Sequence, residues 1–319
     1  MKVLVSGASG FLGAHIVQLL CRQGHEVCAL VRSTTERKHL APFKVEYIQG
    51  DLRDEHSLNA ACRGIEGLVH CAAKTGYRSR QNEEQRAVNV EGTTALLRAA
   101  HLTRIQRIVH VSSVAAVGAT REETLLDESA LWNLGQLEVN YARTKRQAEE
   151  RAMAAARGGM PLVVVNPSAL LGPRMDGRGP SGLITGVAQG NLPWVPPGGF
   201  SVTDVRDVAA AVVAALEKGR VAERYILAGH NLSWRKLYEA IALAAGGRVP
   251  QADLSLSKLR WLTRKATLLD RLHLCRTPMA PEIYRSYGWY SWFNSNKAAE
   301  ELDYRVRPLP EILADSVGG

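Results

Sequence analysis

The sequence predicts an α/β fold, in which a doubly wound parallel sheet is joined to a smaller C-terminal α/β lobe. Three observations indicate this fold. Short β-branched runs alternate with longer helical patterns through the first 165 of the 319 residues, as expected where helices connect parallel strands. A glycine-rich loop directly follows the first apolar run. Beyond Pro167 the alternation ends in a stretch dense in glycine and proline, from Gly172 to Gly199.

Each element is predicted from its own pattern. Six apolar runs predict strands over Lys2–Ser6, Glu26–Val31, Val45–Ile48, Leu68–Cys71, Arg107–Val111 and Leu162–Val165. Helical periodicity predicts helices over Leu12–Arg22, Asp54–Cys62, Glu83–His101 and Tyr141–Ala156. The later region predicts a helix over Asp204–Glu217, a strand over Tyr225–Leu227, a helix over Trp234–Ala245 capped by Ser233, and a C-terminal segment with Trp289 and Trp292. We therefore expect residues 1–166 to form the sheet domain and residues 167–319 mainly the second lobe, whose strands and helices are free to return to the sheet.

Composition excludes several classes of protein. The net charge of +9 suits a polyanionic partner or simply a basic surface, but no nucleic-acid-binding motif is present, so we expect no nucleic acid to bind. The five cysteines are odd in number and show no metal-binding spacing, which predicts reduced thiols, no metal site and a cytoplasmic protein. No apolar run approaches the roughly 20 residues that span a bilayer, and the chain starts directly in a strand, so we expect neither a membrane anchor nor secretion.

The loop after the first strand has the spacing of a phosphate-binding loop. Three glycines in a GxxGxxG pattern precede a predicted helix, whose free N–H groups and positive dipole end favour a pyrophosphate. Glycine also serves ordinary tight turns, but the position between the first strand and the first helix favours a dinucleotide site. This predicts an NAD(P)-binding Rossmann domain, with cofactor contacts from Gly7, Ser9, Gly10, Phe11, Leu12 and Gly13.

Arg32 favours NADP over NAD. In sites for NAD, an acidic residue about 20 positions beyond the glycine loop accepts the ribose 2′-hydroxyl. Here the second strand ends at Val31, and Arg32 and Ser33 follow. A guanidinium pairs with a 2′-phosphate, and Ser33 can donate a further hydrogen bond. The alternative is that Arg32 is merely a solvated residue at a strand end and that either cofactor binds.

Three residues form a candidate catalytic group. Tyr141 and Lys145 are spaced i, i+4 on one helix face, and Ser113 ends a predicted strand 28 residues earlier. A phenol with its ordinary pKa near 10 exchanges protons poorly at neutral pH, and a nearby ammonium would lower that pKa. Ser113 can bind a substrate oxygen. The alternatives are an exposed Lys beside a half-buried Tyr, and a serine that caps the following turn, a role equally open to Ser112.

At this point the sequence resembles the extended short-chain dehydrogenase/reductases, in particular the branch of dihydroflavonol-reductase-like enzymes, 3β-hydroxysteroid-dehydrogenase-like enzymes and hopanoid-associated sugar epimerases. The resemblance runs nearly end to end. It rests on Gly7-x-x-Gly10-x-x-Gly13, Gly50-Asp51-Leu52-Arg53-Asp54, His70-Cys71-Ala72-Ala73, Asn89-Val90-Glu91-Gly92-Thr93, Val111-Ser112-Ser113, Tyr141-x-x-x-Lys145, Asn166-Pro167-Ser168 and Asn296-Lys297-Ala298-x-x-Glu301-Leu302.

The resemblance implies a role for each matching residue. Ser113 would orient the substrate oxygen, Tyr141 would be the acid/base, and Lys145 would tune Tyr141 and bind the nicotinamide ribose. Asn89 would brace the centre of the sheet, and Thr144 stands where the family usually has Ser. Further cofactor contacts are implied at the adenine for Asp51 and Leu52, behind the fourth strand for Ala72 and Ala73, and near the nicotinamide for Pro167 and Ser168.

The chemistry leaves three functions open. An NADP(H)-dependent reductase of a small, rather apolar carbonyl compound is favoured by Arg32 and by Phe200, which stands where the resemblance to sugar-nucleotide epimerases implies a phosphate-binding Arg. An NAD(P)-dependent nucleotide-sugar epimerase or dehydratase is the alternative, and a non-catalytic NADP-binding sensor or scaffold is the second. Aromatic residues in loops and in the second lobe suit an apolar substrate, while Asn166 also suits a sugar. The candidate substrate contacts are Lys74, Tyr77, Asn166 and Trp194.

A basic segment suggests a partner of another kind. Residues 251–276 contain six Lys or Arg and two Asp, for a net charge of +4. Apolar residues recur there at helical spacing, with Trp261 and Leu268 widening the stripe formed by Leu259, Leu262, Ala266 and Leu269. Such a helix could lie on an anionic membrane, but packing on the second lobe or beside the substrate entrance is the commoner use of the stripe. The resemblance also implies a homodimer formed through two long helices of the sheet domain.

Overall fold

The computed structural model describes residues 1–176, 181–272, 274 and 280–318. A seven-stranded parallel sheet forms the main domain, with strand order β3-β2-β1-β4-β5-β6-β9. Its strands are β1 (Lys2–Ser6), β2 (Glu26–Val31), β3 (Val45–Gln49), β4 (Gly67–His70), β5 (Arg107–Val111), β6 (Leu162–Pro167) and β9 (Arg224–Leu227). The predicted doubly wound α/β fold is confirmed, and the six predicted strands are present with ends that shift by at most two residues.

Helices cover both faces of this sheet. Two apolar clusters fill the layers between sheet and helices, because strands β1, β4, β5 and β6 bury residues on both sides. One face carries α1 (Phe11–Arg22), α7 (Val205–Lys218) and α11 (Asn296–Leu302). The other face carries α2 (Glu55–Ala61), α4 (Thr93–Leu102) and α5 (Asn140–Arg157), with α3 (Asn82–Gln85) leading into α4.

Beyond residue 166 the chain enters the second lobe, but later segments return to the main sheet. Strand β9 pairs with β6 and closes the main sheet, and α7 packs against α1. The second lobe is built on a smaller sheet of β7 (Ala169–Leu171), β8 (Gly199–Asp204), β10 (His230–Ser233) and β11 (Tyr290–Ser291). Its helices are α6 (Gly182–Ala188), α8 (Trp234–Ala245), α9 (Leu256–Arg271), α10 (Pro281–Ser286) and α12 (Leu309–Gly318).

The lobe has its own apolar packing. Residues of α6, α8 and α12 pack together over β8, and a separate aromatic cluster lies between α9 and α10. Across the ranges that the structure describes, no helix combines the length and the apolar character required to cross a bilayer. Cys275 and Arg276, which belong to the basic segment, lie outside the described residues.

Candidate active site

The glycine loop leaves no room for side chains. Gly7 has a φ of +74°, and a Cβ there would lie 2.7 Å from the backbone of Ala72, which follows β4. A Cβ on Gly13 would lie 2.0 Å from the carbonyl oxygen of Gly7. The N–H of Gly10 donates to that same oxygen at 2.9 Å. The three glycines therefore let the loop, the start of α1 and the end of β4 meet backbone to backbone.

The N-terminus of α1 fits a phosphate group. Gly10 is its N-cap and supplies no side-chain hydrogen bond, so the first N–H groups of the helix keep their capacity to bind an anion. Ser9 and Phe11 are half-buried at this end, while Leu12 is buried beneath them. The guanidinium of Arg174 lies 5.0 Å from the centre of the Phe11 ring. The sequence patterns did not single out Arg174, because it comes from the distant loop after β7.

Basic residues follow strands β2 and β3, on the side of the glycine loop where the adenosine half of a dinucleotide is expected. Arg53 donates to Asp51 twice, with Nε 3.0 Å from Oδ1 and Nη2 2.8 Å from Oδ2. These hydrogen bonds, together with the nearby charge of Arg32, hold the pKa of Asp51 down at about 2. Arg32 is exposed at the end of β2, and its backbone N–H donates to Thr35. The charge of Asp51 is thus neutralised by Arg53. The sequence alone could have suggested this ion pair, because the two residues are only two positions apart.

The remaining predicted cofactor residues lie at the carboxyl ends of strands. Ala72 and Ala73 follow β4, and the N–H of Ala72 points to Ser6 Oγ at 3.4 Å. Pro167 ends β6, and Ser168 is held by its N–H bond to Leu227 of β9. Leu52 is buried against α4 in the apolar layer after β3. These positions line the edge of the sheet where the fold class places its ligand.

Ser113 and Tyr141 meet at this edge. Ser113 follows β5, and its Oγ accepts the N–H of Ala115 at 3.2 Å, so it caps the next turn. Its side chain is also close enough to Tyr141, at the start of α5, to lower the pKa of the phenol. Burial, and to a smaller extent the neighbouring Tyr77, raise the pKa of Tyr141 to about 12, while Ser113 acts in the opposite direction. Tyr141 therefore carries its proton at neutral pH.

Lys145 is buried one turn further along α5. Its Nζ donates to the carbonyl oxygen of Val111 at 2.8 Å, and burial lowers the pKa of its ammonium group to about 8. The expectation that Lys145 lowers the pKa of Tyr141 does not match this arrangement, because the amine is held by β5. The ion–dipole bond instead joins α5, which carries Tyr141, to β5, which Ser113 follows.

Asn89 braces the site from a π-helical turn. Where the sequence predicts one helix over Glu83–His101, the structure has a π turn at Arg86–Gly92 between α3 and α4. The Asn89 side chain accepts the N–H of Lys74 at 2.7 Å and donates to the Lys74 carbonyl at 3.0 Å and to Thr144 at 3.2 Å. Asn89 therefore joins the loop after β4 to α5. It lies in the π turn, which contains one residue more than an α-helical turn.

Asn166 belongs to the support of the site. The prediction that Asn166 contacts substrate is not matched, since its side chain is fully buried in β6. Its Nδ2 donates to the carbonyl oxygen of Ser113 at 3.0 Å and to Glu149 at 2.6 Å. Glu149 is buried on α5 and pairs with Arg224 of β9 at 3.1 Å. Sequence reasoning missed Glu149, although it stands four residues after Lys145 on the same helix face.

The other candidate substrate residues separate in space. The Tyr77 ring lies edge-on to Tyr141, with 6.1 Å between ring centres, and is 41% exposed, so it can reach a ligand. Lys74 follows β4, but its Nζ is held by Glu84 at 2.8 Å. Trp194 packs in the aromatic cluster beneath α9, where the Lys258 amine lies 4.7 Å from its ring centre. Of these three, Tyr77 is the one placed beside the proton donor.

Known proteins share this sequence and fold. A protein named "Sterol demethylase protein B" from Methylococcus capsulatus is 36% identical over 72% of this chain and 70% of the relative. A 4-hydroxy-2-methyl-3-oxo-4-farnesyl-3,4-dihydroquinoline-1-oxide ketoreductase from Stigmatella aurantiaca is 34% identical over 96% of this chain and 92% of the relative. The structure of PA4631, a nucleoside-diphosphate-sugar epimerase from Pseudomonas aeruginosa, has a TM-score of 0.81 and 26% identity, and the match covers 100% of this chain and 96% of that one.

The family follows from a match over most of the chain. Residues 3–228, from β1 to just beyond β9, match the NAD dependent epimerase/dehydratase family. This range includes the glycine loop, Ser113, Tyr141 and Lys145. The chain therefore belongs to the NAD dependent epimerase/dehydratase family and is an NAD(P)-dependent enzyme of the extended short-chain dehydrogenase/reductase type.

Proposed function

We propose that the protein is an NADP(H)-dependent reductase that acts on a carbonyl group of a small, rather apolar substrate. The observation that carries this proposal is the arrangement of Ser113 just beyond β5, Tyr141 at the start of α5 and the Tyr77 ring edge-on to Tyr141, all at the edge of the sheet. When bound, the nicotinamide exchanges a hydride with the carbonyl carbon. The protein must then supply a proton to the oxygen, and the phenol of Tyr141, which lies at this edge of the sheet beside Tyr77, is the group positioned to give it.

Each catalytic side chain has a separate task in this scheme. Ser113 donates a hydrogen bond to the substrate oxygen and fixes its position beside Tyr141. Tyr141 transfers the proton from its hydroxyl to that oxygen. The ammonium group of Lys145 donates to the carbonyl oxygen of Val111 and so holds α5, which carries Tyr141, against β5, which Ser113 follows.

The basic end of the groove supports NADP. Asp51 is engaged by Arg53, so no free carboxylate from this loop competes for a ribose hydroxyl. Within the described chain, Arg32 lies within ion-pair distance of no carboxylate, and its guanidinium is exposed. A 2′-phosphate would be bound by this cation.

We place the reaction in the cytoplasm, in keeping with Cys21, Cys28, Cys62 and Cys71, which are free thiols.

An apolar substrate is supported by the second lobe. The Phe200 ring of β8 stacks on Trp234, with 5.4 Å between ring centres and 10° between planes. This position therefore offers no cation to a diphosphate. Two similar proteins are named for a sterol and for a farnesyl-bearing 3-oxo compound, which are both largely apolar.

A sugar-nucleotide epimerase is the second candidate. It is favoured by the similarity to the Pseudomonas aeruginosa epimerase and by the family's own description. An epimerase would convert a nucleotide sugar with no net consumption of NADPH, whereas the proposed reductase would consume one NADPH for each ketone reduced.

The first experiment compares Tyr141→Phe with the wild type on a panel of apolar ketones and nucleotide sugars. We expect NADPH-dependent reduction of a ketone, and we expect Tyr141→Phe to lower kcat by about 10²–10⁴-fold with little change in the Kd of NADPH. Tyr47→Phe, on the exposed surface of β3, is the matched control. Full activity of Tyr141→Phe would exclude this mechanism. Turnover of nucleotide sugars alone would establish the epimerase, and tight NADPH binding without any turnover would indicate a sensor.

The second experiment tests the cofactor. Replacing Arg32 by Ala removes the cation at the end of β2, and we expect the ratio of the Kd values for NADPH and NADH to shift toward NADH by about tenfold or more. Arg22→Ala, at the end of α1, is the control for general loss of positive charge. An unchanged ratio in the Arg32 variant would show that another group selects the cofactor.

A further inference from the structure

Helix α9 exposes an apolar line on its outer side. Leu259, Ala266 and Asp270 are buried on its inner side. On the opposite side Trp261, Leu268 and Leu272 are 58%, 59% and 56% exposed. Their spacing of i, i+7 and i+11 aligns them along one face of the helix. The sequence pattern predicts that Trp261 and Leu268 widen the packed stripe. In the structure they instead form a second apolar face on the outer side of α9.

Basic side chains border this outer face. Arg264 and Lys265 lie beside Trp261 in the helical projection, and Lys258 and Arg260 occupy the first turns. All four are exposed, and none of them is within ion-pair distance of a carboxylate of any residue that the structure describes. The Lys265 amine lies 5.0 Å from the Trp261 ring centre. The acidic residue of α9, Asp270, is on the inner side and accepts the N–H of Ser79.

We propose that the outer face of α9 binds an anionic lipid membrane surface. Trp261, Leu268 and Leu272 would enter the interface between headgroups and acyl chains, and Arg264 and Lys265 would contact lipid phosphates. A basic helix with Trp and Leu on one face has the composition of helices that lie in this interface. Each cation near an anionic leaflet adds to the binding, which is screened by salt.

A second copy of the chain fits this face less well. Two α9 helices placed against each other would bring two sets of basic side chains together on chains that each carry a net charge of +9. Like charges at close range oppose such a contact. An anionic membrane provides both the opposite charge and the apolar layer that the outer face requires.

The position of α9 connects this surface to the catalytic cleft. Asp270 Oδ2 accepts the backbone N–H of Ser79 at 3.1 Å, and Ser79 follows Tyr77 by two residues. The Tyr77 ring in turn contacts Tyr141. A membrane-bound α9 would therefore hold the loop at the edge of the cleft close to the lipid surface. The membrane proposal does not depend on the reaction, so its failure would leave the proposed reductase untouched.

The test is flotation of the full-length protein with vesicles of phosphatidylcholine alone or mixed with phosphatidylglycerol. We expect binding to the anionic vesicles, little binding to the neutral ones, and release at high salt. The double variants Trp261→Ala/Leu268→Ala and Arg264→Gln/Lys265→Gln should each weaken binding by about tenfold or more. Because the replaced side chains are exposed, both variants should unfold at the wild-type urea concentration.

Matched controls change equally exposed groups elsewhere. Leu102→Ala/Leu243→Ala removes two exposed leucines of α4 and α8, and Arg22→Gln/Arg157→Gln removes two cations at helix ends. Both controls should bind vesicles like the wild type. The proposal is overturned if the wild type ignores anionic vesicles or if the α9 variants bind as well as the controls. It is also overturned if light scattering shows a dimer that the α9 variants dissociate, because a second copy would then cover the face.

Discussion

The two walls of the catalytic cleft are built by different kinds of contact. The cofactor wall is made of backbone, where Gly7 and Gly13 bring loop, helix and strand to within distances that no Cβ could occupy. The substrate wall is made of side chains, where the loop of Tyr77 rests on Asp270 of α9 and Arg285 of α10 bonds to Thr267. Backbone contacts demand one residue type, whereas side-chain contacts allow many.

This difference explains why the cofactor wall carries a sequence motif typical of the family. The substrate wall carries no motif that identifies a substrate. A position that excludes every side chain leaves glycine in the sequence at a fixed spacing. A residue whose side chain needs only a matching side chain opposite it leaves no fixed pattern in the sequence, because many pairs of residue types can make such a contact. The glycine spacing of the cofactor loop is thus fixed by backbone geometry, whereas the contacts around Tyr77 and α9 follow no comparable spacing.

The largest expected effect concerns the backbone wall. Gly13→Ala would place a Cβ 2.0 Å from the Gly7 carbonyl oxygen, so we expect a loss of about 3 kcal/mol or more of unfolding free energy, together with loss of NADPH binding. Urea unfolding and cofactor titration measure both. The matched control is Gly182→Ala in α6, where the added Cβ meets open space and the stability should change by less than about 1 kcal/mol. Equal stability of the two variants would contradict the close-contact argument.

The next effect concerns acid stability of the sheet. His70 is buried between Ser6 and Thr93, and burial together with the Lys145 charge lowers its pKa to about 3. The pKa of the neighbouring buried His110 is lowered for the same main reason. Unfolded histidines bind protons below about pH 6.5 while these do not, so stability should fall as the pH drops from about 6.5 toward 3.

The expected loss is about 2 kcal/mol for His70 between pH 7 and pH 5, with a further loss from His110 in the same direction, measured by urea unfolding. His110→Leu has a similar volume and no titratable group, so it should recover the part of the loss that His110 causes. In the described chain neither ring nitrogen of His110 has a hydrogen-bond partner, so Leu should be tolerated at neutral pH. An acid response of His110→Leu equal to that of the wild type would assign the loss to other groups.

The smallest effect distinguishes two aromatic residues of the substrate wall. Tyr77→Ala should raise KM by about five- to tenfold, because its ring borders Tyr141 and is exposed to a ligand. Trp194→Ala should leave KM within about twofold and instead lower stability, since Trp194 packs beneath α9. Tyr77→Phe is the conservative control and should behave like the wild type. A larger kinetic effect of Trp194→Ala than of Tyr77→Ala would place the substrate on the other side of α9.

Most of the main sheet could be predicted from the sequence, because each strand is a compact β-branched run between polar turns. The helix over Glu83–His101 was predicted as continuous, and the π turn at Asn89 was missed. At that turn Asn89 bonds to the backbone of Lys74 in a distant loop, a contact that local periodicity cannot indicate. Arg174 over Phe11 and Arg224 against Glu149 were missed for the same reason, since each pair joins residues far apart in the chain.

By itself the sequence determined the class of fold, the glycine loop and the Ser113, Tyr141 and Lys145 pattern, because these depend on residue type and short spacing. Only the tertiary structure decided how those residues are tuned. It buries Lys145 against Val111 and gives Tyr141 a raised pKa, since burial and hydrogen bonding are set by the neighbours that folding brings together. It also decided that Asn166 supports the site and that Trp261 faces outward, because the same apolar or polar residue serves either role until its surroundings are fixed.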